Sequence, residues 1–391
     1  MGLMSVTDTK KTTVLQIAEA LMACPSVSPK DVGCQDIIAE FLGPLGFKIE
    51  KFQFGQASAL LAWHGKGAPR LVLAGHTDVV EPGVEKDWNS PPFKPTINDG
   101  YLFGRGAVDM KGGIAAMVAA AKEFVHVHPN HKGSLVVLAT SDEELDSTYG
   151  AVPMTEKLKE RGEYPAMFIT GEPSSSKNLA DTIRVGRRGS FHGCLRMKGI
   201  QGHVASPPKS IVNPIHRSMA PLADMAKETW DNGNDHFPPT SFQISNIRSG
   251  VGADNVVPPV LEAEFNWRFC TEITPEIIKK RVYAIFEKYG LHQGADYEID
   301  WRLSGEPFLT AHGELLMAIQ KAIKELRNID PELSTGGGTS DGRFFAKLPQ
   351  AQVIELGPIN ATAHRINECV LIDDLIGLQA IYYRIIEILL S

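Results

Sequence analysis

Cysteine is scarce in this chain of 391 residues. The five cysteines are odd in number and widely spread, at Cys24, Cys34, Cys194, Cys270 and Cys369. Such spacing excludes a disulfide framework and a cysteine-type zinc site, and it fits a reducing cytosol. Long hydrophobic runs are missing as well, because the longest nearly apolar stretch, residues 114–121, is far too short to cross a bilayer. We therefore expect a cytoplasmic protein without a membrane partner.

Charge of one sign is nowhere concentrated in the sequence. The chain has 39 basic and 46 acidic residues, a net charge of −7, and no basic block, so nucleic acid is not an expected partner. Charged residues make up 22% and hydrophobic residues 43%, which excludes a disordered chain, a collagen and a coiled coil. The N-terminus lacks the apolar core of a signal peptide. We interpret the first ten or so residues as a polar extension outside the fold.

Short apolar runs alternate with helical patterns in the first half of the chain. Residues 70–75, 134–140 and 166–170 are continuously apolar, and residues 111–127 form an alanine-rich helical pattern between the first two runs. Buried strands that alternate with helices predict an α/β fold with a mixed central sheet, at least partly parallel and flanked by helices.

The middle of the chain has a different pattern. Apolar and polar residues alternate over 190–198 and 257–270, with amphipathic helical patterns over 211–230 and 274–289. Half-buried strands beside helices predict a smaller α+β domain with one open sheet face. After about residue 303 the first pattern returns, with two helices and a strand over 314–326, 371–390 and 352–356. We predict a discontinuous large domain, residues 1–188 and 302–391, interrupted by a domain over 189–301.

Acids and histidines follow the predicted strands at the points where they end. The first three runs lead into His76-Thr-Asp78, into Ser141-Asp-Glu-Glu144 and into Gly171-Glu172. Asp109 lies in a glycine-rich turn before a helix, and His364 lies just past the strand over 352–356. Because ligands of open α/β sheets gather outside the carboxyl ends of strands, we expect these groups on one rim.

Two imidazoles and three carboxylates on one rim favour a borderline divalent metal, zinc first, with cobalt or manganese as substitutes. One metal needs three or four ligands, so five or six converging groups favour two metals that share a bridging carboxylate, about 3.5–4 Å apart. Taken singly, an acid at a strand end is more often a helix cap or a solvated rim residue. The combination of these groups is the informative observation.

Several motifs resemble the di-zinc aminoacylase and carboxypeptidase superfamily: His76-Thr-Asp-Val-Val80, Gly104-Arg-Gly-Ala-Val-Asp-Met-Lys-Gly112, Thr140-Ser-Asp-Glu-Glu144 and Gly171-Glu-Pro-Ser-Ser175. Further stretches resemble the branch that hydrolyses N-succinyl-LL-2,6-diaminopimelate: Gly186-Arg-Arg-Gly-Ser190, Gly199-Ile-Gln-Gly-His-Val204, Asn213-Pro-Ile-His216, Thr335-Gly-Gly-Gly-Thr-Ser-Asp-Gly-Arg343 and His364-Arg-Ile-Asn-Glu368. The resemblance covers nearly the whole chain. The chain departs from it at residues 206–212, which replace a tyrosine-containing segment and are one residue longer.

The resemblance implies a set of ligand roles. His76 and Glu172 are expected to hold one zinc ion, Glu144 and His364 the other, and Asp109 is expected to bridge the two. It also implies that Asp78 orients His76, because a carboxylate behind a ligating imidazole fixes the ring.

Two further roles and an assembly follow from the same resemblance. Glu143 is expected to be the general base. His203 is expected to stabilise the oxyanion in the site of a second subunit. The chain would therefore be a homodimer that pairs through residues 189–301.

The implied substrate is a small molecule with several carboxylates, which guanidinium groups bind in a bidentate way. We expect at least one of Arg187 and Arg188 to contact it. Further candidates are Thr339, Ser340, Arg343 and Asn360. Three other functions stay open. The first two belong to the same superfamily, a related N-acyl amino acid deacylase such as acetylornithine deacetylase, or a dipeptidase, and the third is a metal-depleted binding or scaffold protein.

Overall fold

The computed structural model describes residues 6–145, 147–207 and 210–391. The chain forms two compact units. The larger contains Met1–Gly186, Leu309–Ser334 and Ser340–Ser391, and the smaller contains Arg187–Phe308 and Thr335–Thr339. The predicted insertion over 189–301 lies inside the smaller unit, but the sequence patterns did not indicate that Thr335–Thr339 belongs there too. This short segment is joined to the smaller unit by hydrogen bonds that connect the Arg187 guanidinium to the Gly336 carbonyl and the Thr335 hydroxyl to the His236 carbonyl.

The α-helices of the described residues, in chain order, are α1 (Val6–Met22), α2 (Cys34–Leu42), α3 (Lys111–Val127), α4 (Ala151–Glu160), α5 (Pro214–Lys227), α6 (Pro275–Lys288), α7 (Glu314–Arg327), α8 (Gly342–Phe345) and α9 (Ile372–Leu390). Short 3-10 turns cover Gly43–Leu45, Glu85–Asp87 and Asn360–Thr362. Helix α1 begins at Val6, so the interpretation of the first ten residues as an extension is wrong for residues 6–10. Most of its apolar positions from Val14 onward are buried, and the polar residues before them belong to the same helix. Residues 1–5 lie outside the described part of the chain.

The strands of the described residues, again in chain order, are β1 (Lys48–Phe54), β2 (Ala57–Gly65), β3 (Arg70–His76), β4 (Thr96–Asn98), β5 (Tyr101–Phe103), β6 (Ser134–Thr140), β7 (Met167–Thr170), β8 (Thr182–Arg184), β9 (Gly186–Arg187), β10 (Gly189–Lys198), β11 (Gly202–His203), β12 (Ser241–Ser249), β13 (Val256–Val257), β14 (Val260–Phe269), β15 (Tyr297–Gly305), β16 (Phe308–Leu309), β17 (Glu332–Ser334), β18 (Gln352–Glu355) and β19 (Cys369–Leu371).

A mixed eight-stranded sheet forms the centre of the larger unit, in the order β1-β2-β6-β3-β7-β18-β8-β17. Strands β6, β3, β7 and β18 run parallel to one another in this row, whereas β1 and β2 form an antiparallel hairpin at one end. Every residue of β6 is buried, so both faces of the sheet are covered. Helices α1, α3, α7 and α9 pack against one another around the main hydrophobic core. The predicted α/β fold with a mixed sheet and flanking helices is confirmed.

An antiparallel four-stranded sheet, β12-β14-β10-β15, forms the centre of the smaller unit. Buried residues alternate with more exposed ones along β10 and β14, and the buried set packs with α5 and α6. Thr274 caps the N-terminus of α6 through its side chain, and Asn213 does the same for α5, which is the usual role of these residue types before a helix. The alternation therefore reflects one covered face and one more open face, as such a pattern predicts.

A helix that crosses a bilayer needs about 20 mostly apolar residues. Within the part of the chain that the structure describes, no helix is both long enough and apolar enough to do so.

Candidate metal centre

Three parallel neighbours in the large sheet bring the candidate ligands to one edge. His76 is the last residue of β3 and pairs in register with Thr140, the last residue of β6. Strand β7 lies on the other side of β3 and ends at Thr170, two residues before Glu172. Because the carboxyl ends of parallel strands meet at one edge, the residues that follow β3, β6 and β7 converge there.

The first donor group consists of His76, Asp109 and Glu172, whose ligand atoms all lie within 4.8 Å of one another. The Nε2 atom of His76 is 3.2 Å from Asp109 Oδ1 and 3.6 Å from Glu172 Oε1. Its other nitrogen, Nδ1, is 2.9 Å from the backbone carbonyl of Asp78 and is assigned as the donor to it. This hydrogen bond leaves Nε2 to face the carboxylates, as in a ligating histidine.

The second donor group consists of Asp109, Glu144 and His364, again within 4.8 Å of one another. His364 Nε2 is 3.2 Å from Asp109 Oδ2 and 3.1 Å from Glu144 Oε1. The two carboxylate oxygens of Asp109 therefore face different groups, Oδ1 toward His76 and Oδ2 toward His364. This is the geometry that a bridging carboxylate requires.

The electrostatics of the site fit bound cations. Burial, together with neighbouring carboxylates, raises the pKa of Glu172 well above its usual range. Burial opposes ionisation of Asp109 as well, but hydrogen bonds with His364 and His76 outweigh it and lower the pKa of that carboxyl. The bonds to Asp109 and Glu144 raise the pKa of His364 to about 10. The imidazoles of His76 and His364 compensate these crowded acids in part, and two divalent cations with oxygen and nitrogen ligands would compensate them directly.

Glu143 belongs to neither donor group, although it adjoins Glu144 in the sequence. Its Oε2 atom is 3.9 Å from His76 Nε2, and the side chain is almost buried. Burial raises the pKa of this carboxyl well above its ordinary value. A carboxyl group that lies beside the donor groups and belongs to neither of them can serve chemically as an acid or a base.

Asp78 contacts the site differently from the expectation. Its carboxylate lies 3.6 Å from His76 Nδ1, too far for a hydrogen bond, while its carbonyl takes that ring proton. The carboxylate instead accepts the backbone N–H groups of Glu143 and Glu144, at 3.4 and 3.2 Å. Asp78 is fully buried. It therefore fixes both the imidazole of the first group and the turn that carries the two adjacent acids.

We expect Asp78→Asn to weaken zinc binding by about 10–100-fold, the scale of losing a residue that orients metal ligands. The asparagine amide keeps one oxygen that can accept a hydrogen bond. Its NH₂ group, however, would face the backbone N–H of Glu143 or Glu144, and two donors cannot bond to each other. Competition with a chromophoric chelator measures the affinity, and Asp36→Asn, on the exposed side of α2, is the control. A wild-type affinity in Asp78→Asn would show that the turn holds its shape without this carboxylate.

Two of the predicted substrate-binding residues, Ser340 and Arg343, make hydrogen bonds inside the larger unit. Ser340 is fully buried, and its hydroxyl donates to the buried Glu355. The Arg343 guanidinium is buried and donates to the Ser340 carbonyl at 2.9 Å and to the Ser147 hydroxyl at 3.2 Å. Both side chains make hydrogen bonds within the larger unit, although the buried Nε atom of Arg343 has no partner among the described residues, so both stay weaker candidates for a substrate contact. Sequence alone does not distinguish a buried, hydrogen-bonded arginine from an exposed one.

The remaining candidates lie at more accessible or less committed positions. Asn360 and His203 are exposed, and Thr339 is half-buried. Arg187 is buried and donates to the Gly336 carbonyl at 2.7 Å. Arg188 is half-buried, donates to Ser241 Oγ at 3.3 Å, and keeps a buried Nε atom without a partner among the described residues. The Arg188 guanidinium thus has at least one donor without a partner among the described residues.

One acid near the site was not among the predicted residues, although it lies in a glycine-rich motif that was. Asp341 is buried and accepts a hydrogen bond from the Thr140 hydroxyl at 3.1 Å, and burial raises the pKa of its carboxyl. Its position in the stretch that ends at Arg343 was the available signal. Helix α8 begins directly after Asp341. An acid in front of a helix is usual in any fold, so the sequence alone did not single out Asp341.

The two donor groups share Asp109 and lie at the carboxyl edge of a mixed sheet, with a further acid beside them. This arrangement is that of a dinuclear metallohydrolase. Residues 72–388 match the family described as Peptidase family M20/M25/M40, and the chain belongs to that family. The resemblance seen in the sequence motifs is thereby confirmed.

Two similar curated proteins are both named succinyl-diaminopimelate desuccinylase. The protein from Methylococcus capsulatus is 52% identical over 377 residues, and the one from Thioalkalivibrio sulfidiphilus is 52% identical over 376 residues. In both cases the match covers 96% of this chain and 98% of the relative.

Solved structures share the fold at low sequence identity. An aminopeptidase from Bacillus cereus matches with a TM-score of 0.78 and 17% identity, over 97% of this chain and 98% of its own. A protein from Bacillus subtilis, described as a dinuclear metal-binding peptidase from the M20 family, matches with a TM-score of 0.72 and 16% identity, over 98% and 99%. These likenesses concern the fold.

Proposed function

We propose that this chain hydrolyses the amide bond of N-succinyl-LL-2,6-diaminopimelate to succinate and LL-2,6-diaminopimelate, a step of lysine and diaminopimelate biosynthesis. The observation that carries the proposal is the pair of donor groups that share Asp109. The substrate is taken from the two desuccinylases that are 52% identical over almost the whole chain. A cytoplasmic location is part of the same proposal.

Two zinc ions per chain, with cobalt or manganese as substitutes, fit the donor set of two imidazoles and three carboxylates. His76 and Glu172 would hold one ion, Glu144 and His364 the other, and Asp109 would contact both. When bound, such ions polarise a carbonyl and lower the pKa of water from 15.7 to about 7.

The chain's own residues supply the proton transfer and the orientation. Glu143 accepts the proton of the attacking water and delivers it to the nitrogen of the departing amine, so one acid serves both halves of the reaction. The Asp78 carboxylate accepts a hydrogen bond from the backbone N–H of Glu143 and so holds that residue in place. His203 donates to the developing oxyanion, which needs a donor that is already in position.

His203 is proposed to act in the site of a second copy of the chain. It lies on the two-residue strand β11, it is exposed, and its Nδ1 atom accepts the Ala205 N–H at 3.1 Å. That bond leaves Nε2 as the nitrogen that carries the proton and can donate. A homodimer formed through residues 189–301, the inserted domain, would present this donor to the partner.

Substrate carboxylates are proposed to be bound by Arg188 first, with Arg187, Thr339 and Asn360 as further contacts. We expect Arg188→Ala to raise KM by about 10–100-fold with a smaller change in kcat, since a charge-assisted hydrogen bond is worth about 1.5–3 kcal/mol. Steady-state kinetics separates the two constants, and Arg196→Ala on β10 is the control, because Arg196 pairs with Glu262 on the exposed side. An unchanged KM would remove Arg188 from the binding site.

Competing substrates test the proposed function directly. The zinc-loaded protein is assayed with N-succinyl-LL-2,6-diaminopimelate, with N-acetylornithine and with a dipeptide, by release of the free amine. We expect kcat/KM to favour the succinylated substrate by about 10²-fold or more, because a site built for a polar group rejects analogues that lack it. Higher turnover of acetylornithine or of the dipeptide would instead assign one of those activities. No turnover combined with no bound zinc would favour a binding protein.

A further inference from the structure

Glu368 is a fully buried acid that the proposed reaction does not use. Its carboxylate accepts four hydrogen bonds from the turn that carries Asp109. Oε1 accepts the backbone N–H groups of Val108 at 2.8 Å and Asp109 at 3.0 Å. Oε2 accepts the N–H of Gly106 at 3.0 Å and Nη1 of Arg105 at 2.8 Å. One side chain thus fixes the backbone on which the shared metal ligand stands.

The backbone of Glu368 is joined to the same turn. Strand β19 pairs with β5, and the ladder places Cys369 opposite Phe103. Just beyond this pair, the Gly104 N–H donates to the Glu368 carbonyl at 2.9 Å. The side chain of Glu368 then continues where the ladder stops and reaches the residues up to Asp109. Glu368, which lies next to β19, therefore accepts hydrogen bonds from both ends of the turn, from Gly104 to Asp109.

The segment that Glu368 belongs to also carries His364, a ligand of the second donor group. His364 and Asn367 both have a φ of 61°, in the left-handed region that residues other than glycine seldom occupy. Such a conformation persists only where contacts hold it. Asn367 accepts the Asn89 N–H at 2.7 Å, and Glu368 supplies the bonds to the opposite turn. Glu368 thereby joins the backbone of Asp109 to the segment of His364.

The Arg105 guanidinium places a positive charge beside the buried Glu368 carboxyl. The guanidinium is buried, donates to the Arg365 and Glu81 carbonyls at 3.3 and 3.2 Å, and lies over the Trp88 ring at 5.2 Å. A buried charge is stable only with an opposite charge and with its hydrogen bonds satisfied. The four donors to Glu368 meet both conditions, and they oppose the upward shift that burial causes in the pKa of this carboxyl.

We propose that Glu368 is a positioning residue that sets the separation of the two donor groups. Its carboxylate fixes the Asp109 turn against the segment of His364, so that both oxygens of Asp109 reach their groups at once. This inference rests on the proposed function, because it needs metal ions at both groups. It predicts that changes at Glu368 weaken the binding of both ions, although Glu368 is a member of neither donor group.

The test measures zinc binding by the full-length protein, with zinc alone and a chromophoric chelator as competitor. Glu368→Gln keeps the shape but places an NH₂ group against two of the four donors. We expect both stepwise zinc dissociation constants to rise by about 10–100-fold and the visible absorption of the cobalt-loaded protein to change. Asp296→Asn is the matched control, because Asp296 accepts a backbone N–H and an arginine in the smaller unit, at 2.8 and 2.6 Å. It should leave zinc binding unchanged.

Glu368→Asp separates charge from position. Aspartate keeps the charge opposite Arg105 but is shorter by one methylene, so it cannot reach all four donors. We expect it to lose zinc affinity as well, and it is tested by the same titration if Glu368→Gln does not fold. Wild-type zinc constants in folded Glu368→Gln, even with a lower melting temperature, would reduce Glu368 to a purely structural role. Wild-type constants in Glu368→Asp would likewise overturn positioning. A wild-type protein that fails to bind two zinc ions would contradict the proposed function instead.

Discussion

Glu143→Ala is expected to lower kcat by about 10²–10⁴-fold, the usual contribution of a general base, while two equivalents of zinc stay bound. The reason is positional: Glu143 stands outside both donor groups, with its carboxylate 3.9 Å from His76 Nε2. Burial, together with the neighbouring acids, raises the pKa of Glu143, which favours a carboxyl that holds the transferred proton between the two steps. Turnover with saturating substrate and zinc content by atomic emission are the two measurements.

The neighbouring acid provides the matched control. Glu144 is a member of the second donor group, 3.1 Å from His364 Nε2, so Glu144→Ala should lose zinc as well as activity. If Glu143→Ala loses the metal and Glu144→Ala keeps it, the roles of the two acids have been exchanged. If Glu143→Ala stays within a few-fold of the wild type, another group is the base.

His203→Ala is expected to lower kcat by about 10²-fold or more, the cost of one missing oxyanion donor, without loss of zinc or of the proposed dimer. His216, an exposed histidine on α5 of the same unit, is the control, and His216→Ala should remain active. Kinetics, zinc content and size-exclusion chromatography together separate a lost donor from a lost assembly.

Mixed dimers test whether His203 acts across the subunits. Glu143→Ala and His203→Ala chains, each nearly inactive alone, are unfolded together and refolded to form a mixed species. If His203 serves the partner's site, one of the two sites in each mixed dimer has both an intact Glu143 and an intact His203. We expect such dimers to regain about half the wild-type kcat. No recovery in a purified mixed dimer would place His203 in the site of its own chain, or outside any site.

The α/β fold was predictable because its central strands are continuously apolar. The run over 134–140 is observed as β6 with the same bounds, and the helix over 111–127 is observed as α3. Strands such as β8 and β17 could not be predicted, since three residues carry no periodicity. They form because segments about 150 positions apart in the chain pair with each other, β17 with β8 in parallel, and that information is not local.

The candidate site was predictable where ligands follow strands, and not where residues act through long-range contacts. His76 and Glu172 come directly after apolar runs, and that position alone assigns them to one rim of the sheet. Glu368 offered no such signal, because its four bonds go to a turn about 260 positions earlier in the chain. Ser340 and Arg343 are buried. The pattern of a single sequence does not show whether a polar side chain is buried, so their surroundings could not be predicted.

Anomalous diffraction at the zinc edge, from crystals of the zinc-loaded protein, measures the central claim most directly. The account predicts two anomalous peaks per chain, about 3.5–4 Å apart. One should contact His76 and Glu172, the other Glu144 and His364, and each should contact one oxygen of Asp109. A single peak, or two peaks that do not share Asp109, would contradict the dinuclear centre on which the proposed hydrolysis depends.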